Sequence, residues 1–174
     1  MPHKLTRTAP PGLREGGQVI GERMSELYAV LLSWAVTLSG YPAPAQPPLV
    51  VAKPHAFFVE HACNNRECRV LGWYDGGTNV YIDDRLDPQT QLLASSIVVH
   101  EMVHYLQAVA RGDAGPKSGA FTVMPSCRQL IHWEHEAYGV QREYIMRQGT
   151  YLPVGMSMLR TGCDNSDAAP EKLH

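Results

Sequence analysis

Apolar residues return along this chain with two different periods, and the changes from one to the other mark out its elements. Between Gln18 and Ser39, the residues Leu27, Val30, Leu31, Trp34 and Leu38 recur every three or four positions, the spacing of a helix with one buried face, and Gly40-Tyr41-Pro42 ends it. Leu27 to Leu38 also has the composition of a signal-peptide core, with Ala43-x-Ala45 resembling a cleavage site. The acidic Glu22 and Glu26 ahead of the run, and Pro42 and Pro44 after it, favour a retained helix, and the run is too short to span a membrane.

Beyond the proline-rich connector from Pro42 to Pro48, the pattern changes to short apolar runs. Leu49-Val50-Val51 opens a strand, and His55 to Glu60 and Arg69 to Tyr74 read as two short strands on either side of Cys63 and Cys68. Asp75-Gly76-Gly77-Thr78 is a turn signal, and Asn79 to Asp83 alternates as a half-buried strand does. A long helix comes next, with Asp87 or Thr90 as its cap and Pro88 in its first turn, running to Arg111-Gly112. From Asp113 to Met124 the chain turns to Gly, Pro, Ser and Lys, a natural place for a mobile lid. A second long helix is predicted behind the cap Ser126, through Leu130, Trp133, Ala137, Val140, Tyr144 and Ile145, to about Gly149. Residues 1–17 and 165–174 read as mobile tails around a domain spanning 18–164.

Composition narrows the classes. With 174 residues, 44% of them hydrophobic, the chain is long enough for one domain with a proper core and too short for two comfortable ones. A net charge of -2 with no run of Lys or Arg removes the electrostatic footprint of a nucleic-acid binder and leaves no polybasic membrane patch. The four cysteines form no Cys-x-x-Cys pair, which argues against zinc-ribbon and thioredoxin chemistry. Cys63 and Cys68 would close a short loop, leaving Cys127 and Cys163 for a longer staple; free buried thiols are the alternative. Bridged, the protein belongs in the periplasm or outside the cell; unbridged, in the cytoplasm.

The chemistry concentrates in the first long helix of this pair, which contains His100-Glu101-Met102-Val103-His104. Residues four apart on a helix stand one above the other on one face, so His100 and His104 can offer two imidazoles to one ion. Glu101, one position round the helix, reaches the water beside such an ion without being a ligand, which metal-assisted hydrolysis requires of its general base. The plain alternative is an amphipathic helix with its histidines in solvent. Gln107 lies two turns after His100 on the same face, as a partner for a ligand or a polar wall of the cleft. A catalytic zinc takes three protein ligands and keeps one position open, so a third donor must come from elsewhere.

No His-x-x-Gly-x-x-His comes after the motif, so the metzincin pattern is absent. The second long helix instead carries Trp133-Glu134-His135-Glu136-Ala137-Tyr138. Together with His100 to His104 this resembles the gluzincins, zinc metallopeptidases whose third ligand is a Glu on a downstream helix, and among them those with a Glu-x-x-Ala pattern. The resemblance implies a single α+β zincin-like domain, a small mixed sheet packed on two long helices that meet at the metal site. It implies one zinc ion held by His100, His104 and Glu134, with Glu101 as the base and a peptide or protein as substrate. Glu136 is the rival ligand, on another face of the helix. Where those relatives place Asp or Asn one turn on, this chain has Tyr138, which could brace the site, stabilise an oxyanion or simply pack. His132 and His135 could serve the oxyanion, or fill the fourth position if the metal is only a staple. In zincins the strand before the metal helix pairs with the substrate, which would make Asn79 to Asp83 the cleft edge. The alternatives to an enzyme are a catalytically silent zincin-like binding or regulatory protein, and an interaction domain stapled by metal or disulfides.

Overall fold

The computed structural model describes residues 15–114, 125–158 and 162–163, arranged as four helices and one three-stranded mixed sheet. The first helix, α1 (Glu15–Ser39), begins within the stretch expected to be a tail. Two glycines weaken a helix by about 1 kcal/mol each but do not forbid its first turn. Leu31 and Ala35 of α1 are fully buried, and Gly40 ends the helix in the left-handed conformation (φ 76°) that glycine adopts without strain.

Strand β1 (Leu49–Lys53) runs parallel to β3 (Asn79–Asp83), and β2 (Gly72–Tyr74) runs antiparallel to β3 on its other side. The order β1-β3-β2 corrects one expectation: Asn79 to Asp83 is the middle of the sheet, and the edge on the helix side is β2. The expected strand from Arg69 is trimmed to its last three residues, and His55 to Glu60 is no strand at all but part of α2 (His55–His61). The cause of that second correction is the packing of an aromatic run at helical spacing. Phe58 drops into the interior while the rings of Phe57 and His61, one turn apart, meet at 4.4 Å with a 51° tilt. Pro54, extended at the cap position (φ -64°, ψ 152°), turns the chain into the helix. The cysteine pairing expected from spacing is present, Cys63 to Cys68 and Cys127 to Cys163, and no described cysteine is free.

The two long helices are α3 (Leu92–Arg111) and α4 (Cys127–Arg147). Asp87 does not cap α3. Its carboxylate accepts from the Gln89 N–H (2.9 Å) and the Thr90 hydroxyl (2.8 Å), so it closes a separate turn and Gln91 becomes the cap. Ser126 caps α4 as expected, with Gln129 completing the reciprocal pair of side-chain bonds. By length and apolar composition α3 could cross a membrane, but 67% of its most apolar stretch is buried inside the protein, as in the central helix of a core. Val98, Val99, Met102, Val103 and Leu106 of α3 meet Ile82 of the sheet, Ala137 and Ile145 of α4 and Leu31 of α1. Three long helices therefore form the body: the helix expected over Gln18 to Ser39 and the expected pair that meets at the candidate site. The α3–α4 seam carries two satisfied polar bridges, Gln141 to Ser96 (3.0 Å) and Tyr144 to Ser95 (3.2 Å), so these four buried side chains cost little. The expected lid is outside the described residues from 115 to 124, as are residues 1–14 and the C-terminal tail.

Candidate metal centre

α3 and α4 cross where the candidate residues lie. Ala137 on α4 is fully buried, and its small side chain lets the two helices approach. From α3, His100 and His104 point inward one turn apart, their Nε2 atoms 3.1 Å from each other. Glu134 of α4 completes the group, with one carboxylate oxygen 3.3 Å from His104 Nε2 and the other 3.5 Å from His100 Nε2. These three residues form the described group able to hold a metal ion. Taking one ligand atom from each residue, the three lie within 4.8 Å of one another, close enough to converge on one ion.

The electrostatics reflect that crowding. Burial works against a charge on His104, but the Glu134 carboxylate outweighs it and pushes the imidazole up to about 9. Burial would raise Glu134, yet the two histidines hold it well below the usual carboxylate range. Glu101 is buried beside the group, and burial followed by the nearby Glu134 pushes its carboxyl up, against the pull of His100 and His104.

Glu101 is seated on the edge strand. The bonds from Asp83 N–H to the Leu71 carbonyl and from Asp75 N–H to the Asn79 carbonyl direct alternate β2 groups to β3, so those of Gly72 and Tyr74 face the other way. The Tyr74 N–H donates to the Glu101 carboxylate. At Gly72 the approach is so close that a Cβ would lie 2.5 Å from Ile97 Cγ2 and 3.0 Å from Glu101. Sequence reasoning missed this contact, although an isolated glycine in a strand is the usual signal of a close backbone approach.

The other candidates separate clearly. The Tyr138 ring stands 4.3 Å from that of His100, and on its far side Gly155 presses against it so closely that any Cβ there would overlap the ring. Burial, then Glu134 and Glu101, push the Tyr138 phenol up to about 12. Glu136 stays out of the three-donor group and accepts hydrogen bonds from Tyr41 and Gln107. His135 is exposed and bonds the Met158 carbonyl (2.9 Å), and His132 is exposed, so neither supplies a fourth donor. Gln107 is buried and bonds His104 Nδ1 at 2.9 Å. No family model, no curated protein and no solved structure matches this chain. The site is therefore defined by its own atoms: two imidazoles and a carboxylate converging where a metal ion can be held, with a second carboxylate buried alongside.

Proposed function

We propose that this chain is a zinc metallopeptidase of gluzincin type, built on a zincin-like fold, with zinc held by His100, His104 and Glu134. The observation that carries the reading is the convergence of three donors with Glu101 buried beside them, seated on a strand edge. Two imidazoles and one carboxylate are a donor set of catalytic zinc, and among the described residues no fourth donor joins them, as a purely structural site would require. When bound, zinc supplies a Lewis acid that polarises the scissile carbonyl and lowers the pKa of water.

The protein groups do the rest. Glu101, with its affinity for a proton raised by burial, takes the proton from the attacking water and passes it to the departing amine. The Tyr74 N–H and the absence of a side chain at Gly72 hold that carboxylate at the strand edge. An extended peptide laid along Gly72 to Tyr74 would bring its carbonyl past Glu101, the mode of strand addition. Tyr138 keeps its phenolic proton across the neutral range and so serves as a hydrogen-bond donor to the developing oxyanion. The two disulfides are compatible with an extracellular location, and we place the enzyme in an oxidising compartment, secreted or periplasmic.

The test is Glu101→Gln, assayed on a quenched-fluorescent peptide library with zinc content measured in parallel. Loss of turnover by roughly 10²–10⁴-fold, with zinc still bound one to one, is the expected result. Hydrolysis at the wild-type rate would refute the assignment of the base.

A further inference from the structure

Glu136 lies two residues after the proposed ligand Glu134, yet it is tied into a chain of hydrogen bonds that ends on a histidine of the site. Its Oε2 accepts from the Tyr41 hydroxyl at 2.9 Å and from Gln107 Nε2 at 2.8 Å. Gln107 Nε2 also donates to the Trp133 backbone carbonyl at 3.1 Å. A carbonyl oxygen can only accept, so this bond settles which end of the Gln107 amide is nitrogen. The other end, Oε1, faces His104 Nδ1 at 2.9 Å, and an amide oxygen also only accepts. His104 must therefore carry its hydrogen on Nδ1 and is left with Nε2 as the nitrogen able to offer a lone pair. That is the nitrogen aimed at His100 and Glu134.

We propose that Glu136 and Gln107 are positioning residues for the metal site, Glu136 holding the Gln107 amide in the orientation that presents His104 Nε2 to the ion. The inference depends on the reading of His100, His104 and Glu134 as the metal donors. It gives the rejected ligand a task, and it assigns one to Tyr41 as well. Tyr41 stands just past the end of α1, so its hydroxyl ties that helix terminus to α4 and takes up one of the two bonds at Glu136 Oε2. Three segments of the chain thus converge on the outer side of one imidazole. Among the described residues His100 has no such brace: its Nδ1 is buried without a hydrogen-bond partner and its ring lies against Tyr138. Only one of the two histidines is oriented by a built network, so removing that network should be felt as weaker binding of the ion.

The experiment is zinc affinity by chelator competition on the full chain, with thermal unfolding of the zinc-free protein alongside. Glu136→Gln changes no volume and replaces the charged acceptor that holds the Gln107 amide by a weaker neutral one; Gln107→Leu removes the acceptor of His104 Nδ1–H itself. Both should weaken zinc binding by roughly 10–100-fold, with Tyr41→Phe below that range. Unfolding of zinc-free Glu136→Gln should stay near that of the wild type. Wild-type affinity in both single variants would overturn the assignment while leaving the three-donor site standing. Wild-type affinity in Glu136→Gln alone would reduce Glu136 to packing and overturn its part in the assignment too. Failure of the wild type itself to bind zinc would remove the three-donor reading and the positioning role with it.

Discussion

Two clusters in this protein are built from the same residue types and come out differently. At one, His100, His104 and Glu134 turn three atoms able to ligate a metal toward one another; the two Nε2 atoms are 3.1 Å apart and the carboxylate oxygens 3.3 and 3.5 Å away. At the other, the fully buried Asp83 at the end of β3 meets His55 of α2 and Arg85. Arg85 Nε and Nη2 donate to the two oxygens of Asp83 at 2.7 and 2.6 Å, and His55 Nδ1 stands 2.9 Å from one of them. The second ring nitrogen of His55 faces the Cys68 carbonyl at 3.1 Å. Both oxygens of Asp83 and both ring nitrogens of His55 thus have protein partners. Histidine beside carboxylate is no sign of a metal; what distinguishes the first cluster is that one ligand atom from each of three residues converges, with no Arg or Lys among them to saturate the carboxylate.

The comparison is broken most directly at the three residues able to hold a metal ion. His104→Gln leaves two donors of three, and zinc should no longer be retained through gel filtration, whereas Asp83→Ala should leave the zinc stoichiometry of the wild type unchanged. Thermal unfolding reads the same contrast. Ligand at about 100 times its dissociation constant stabilises a protein by about 2.7 kcal/mol, so added zinc should raise the melting temperature of the wild type and Asp83→Ala but not of His104→Gln. If His104→Gln keeps its zinc, the open cluster is not the site.

Asp83→Ala should in turn cost stability. Removing a buried carboxylate with charged partners costs roughly 1.5–3 kcal/mol, and the exposed Arg85 recovers part of this by turning to water. The pH dependence has a definite sign. Arg85, with help from His55 and against the effect of burial, lowers Asp83 from 3.8 to about 2. Such a group stabilises the fold fully above the ordinary value and loses its contribution as pH falls through the lowered one. Urea unfolding of wild type and Asp83→Ala should therefore differ most above pH 3.8 and converge toward about pH 2. Parallel curves through that window would show that Asp83 gains nothing from its partners.

The open cluster was legible in the sequence and the closed one was not, for a physical reason. His100, Glu101 and His104 lie within little more than one turn of a helix whose period is plain, so their relative placement comes from local geometry. Glu134 required the second helix, and its place opposite the histidines is set by the α3–α4 crossing at Ala137. Asp83 and His55 are 28 residues apart, and nothing in either neighbourhood announces the other. The same is true of Tyr41 and Glu136, 95 residues apart. The segment from His55 was also misread locally, because a short run of aromatic and apolar residues fits a strand or a helix equally well until the sheet order is known. That order, with β3 in the middle, is a long-range property of the chain, and it is why the sheet edge beside α3 is Gly72–Tyr74 and not Asn79–Asp83.

The smallest expected effect sharpens the contrast by making one chemical change at both places. In His55→Gln a side-chain amide can still donate to Asp83, and Arg85 keeps its two bonds to the carboxylate, so the loss amounts to one hydrogen bond, about 1 kcal/mol. Zinc affinity should not move at all. The same replacement at His104 substitutes an amide for a metal-binding nitrogen, and an amide offers its lone pairs only on oxygen. A closed cluster tolerates the change because its stability is spread over several donors, while an open one fails because each donor is counted by the ion. Equal effects of His55→Gln and His104→Gln on zinc binding, measured by the same chelator competition, would mean that the two clusters are not different in kind.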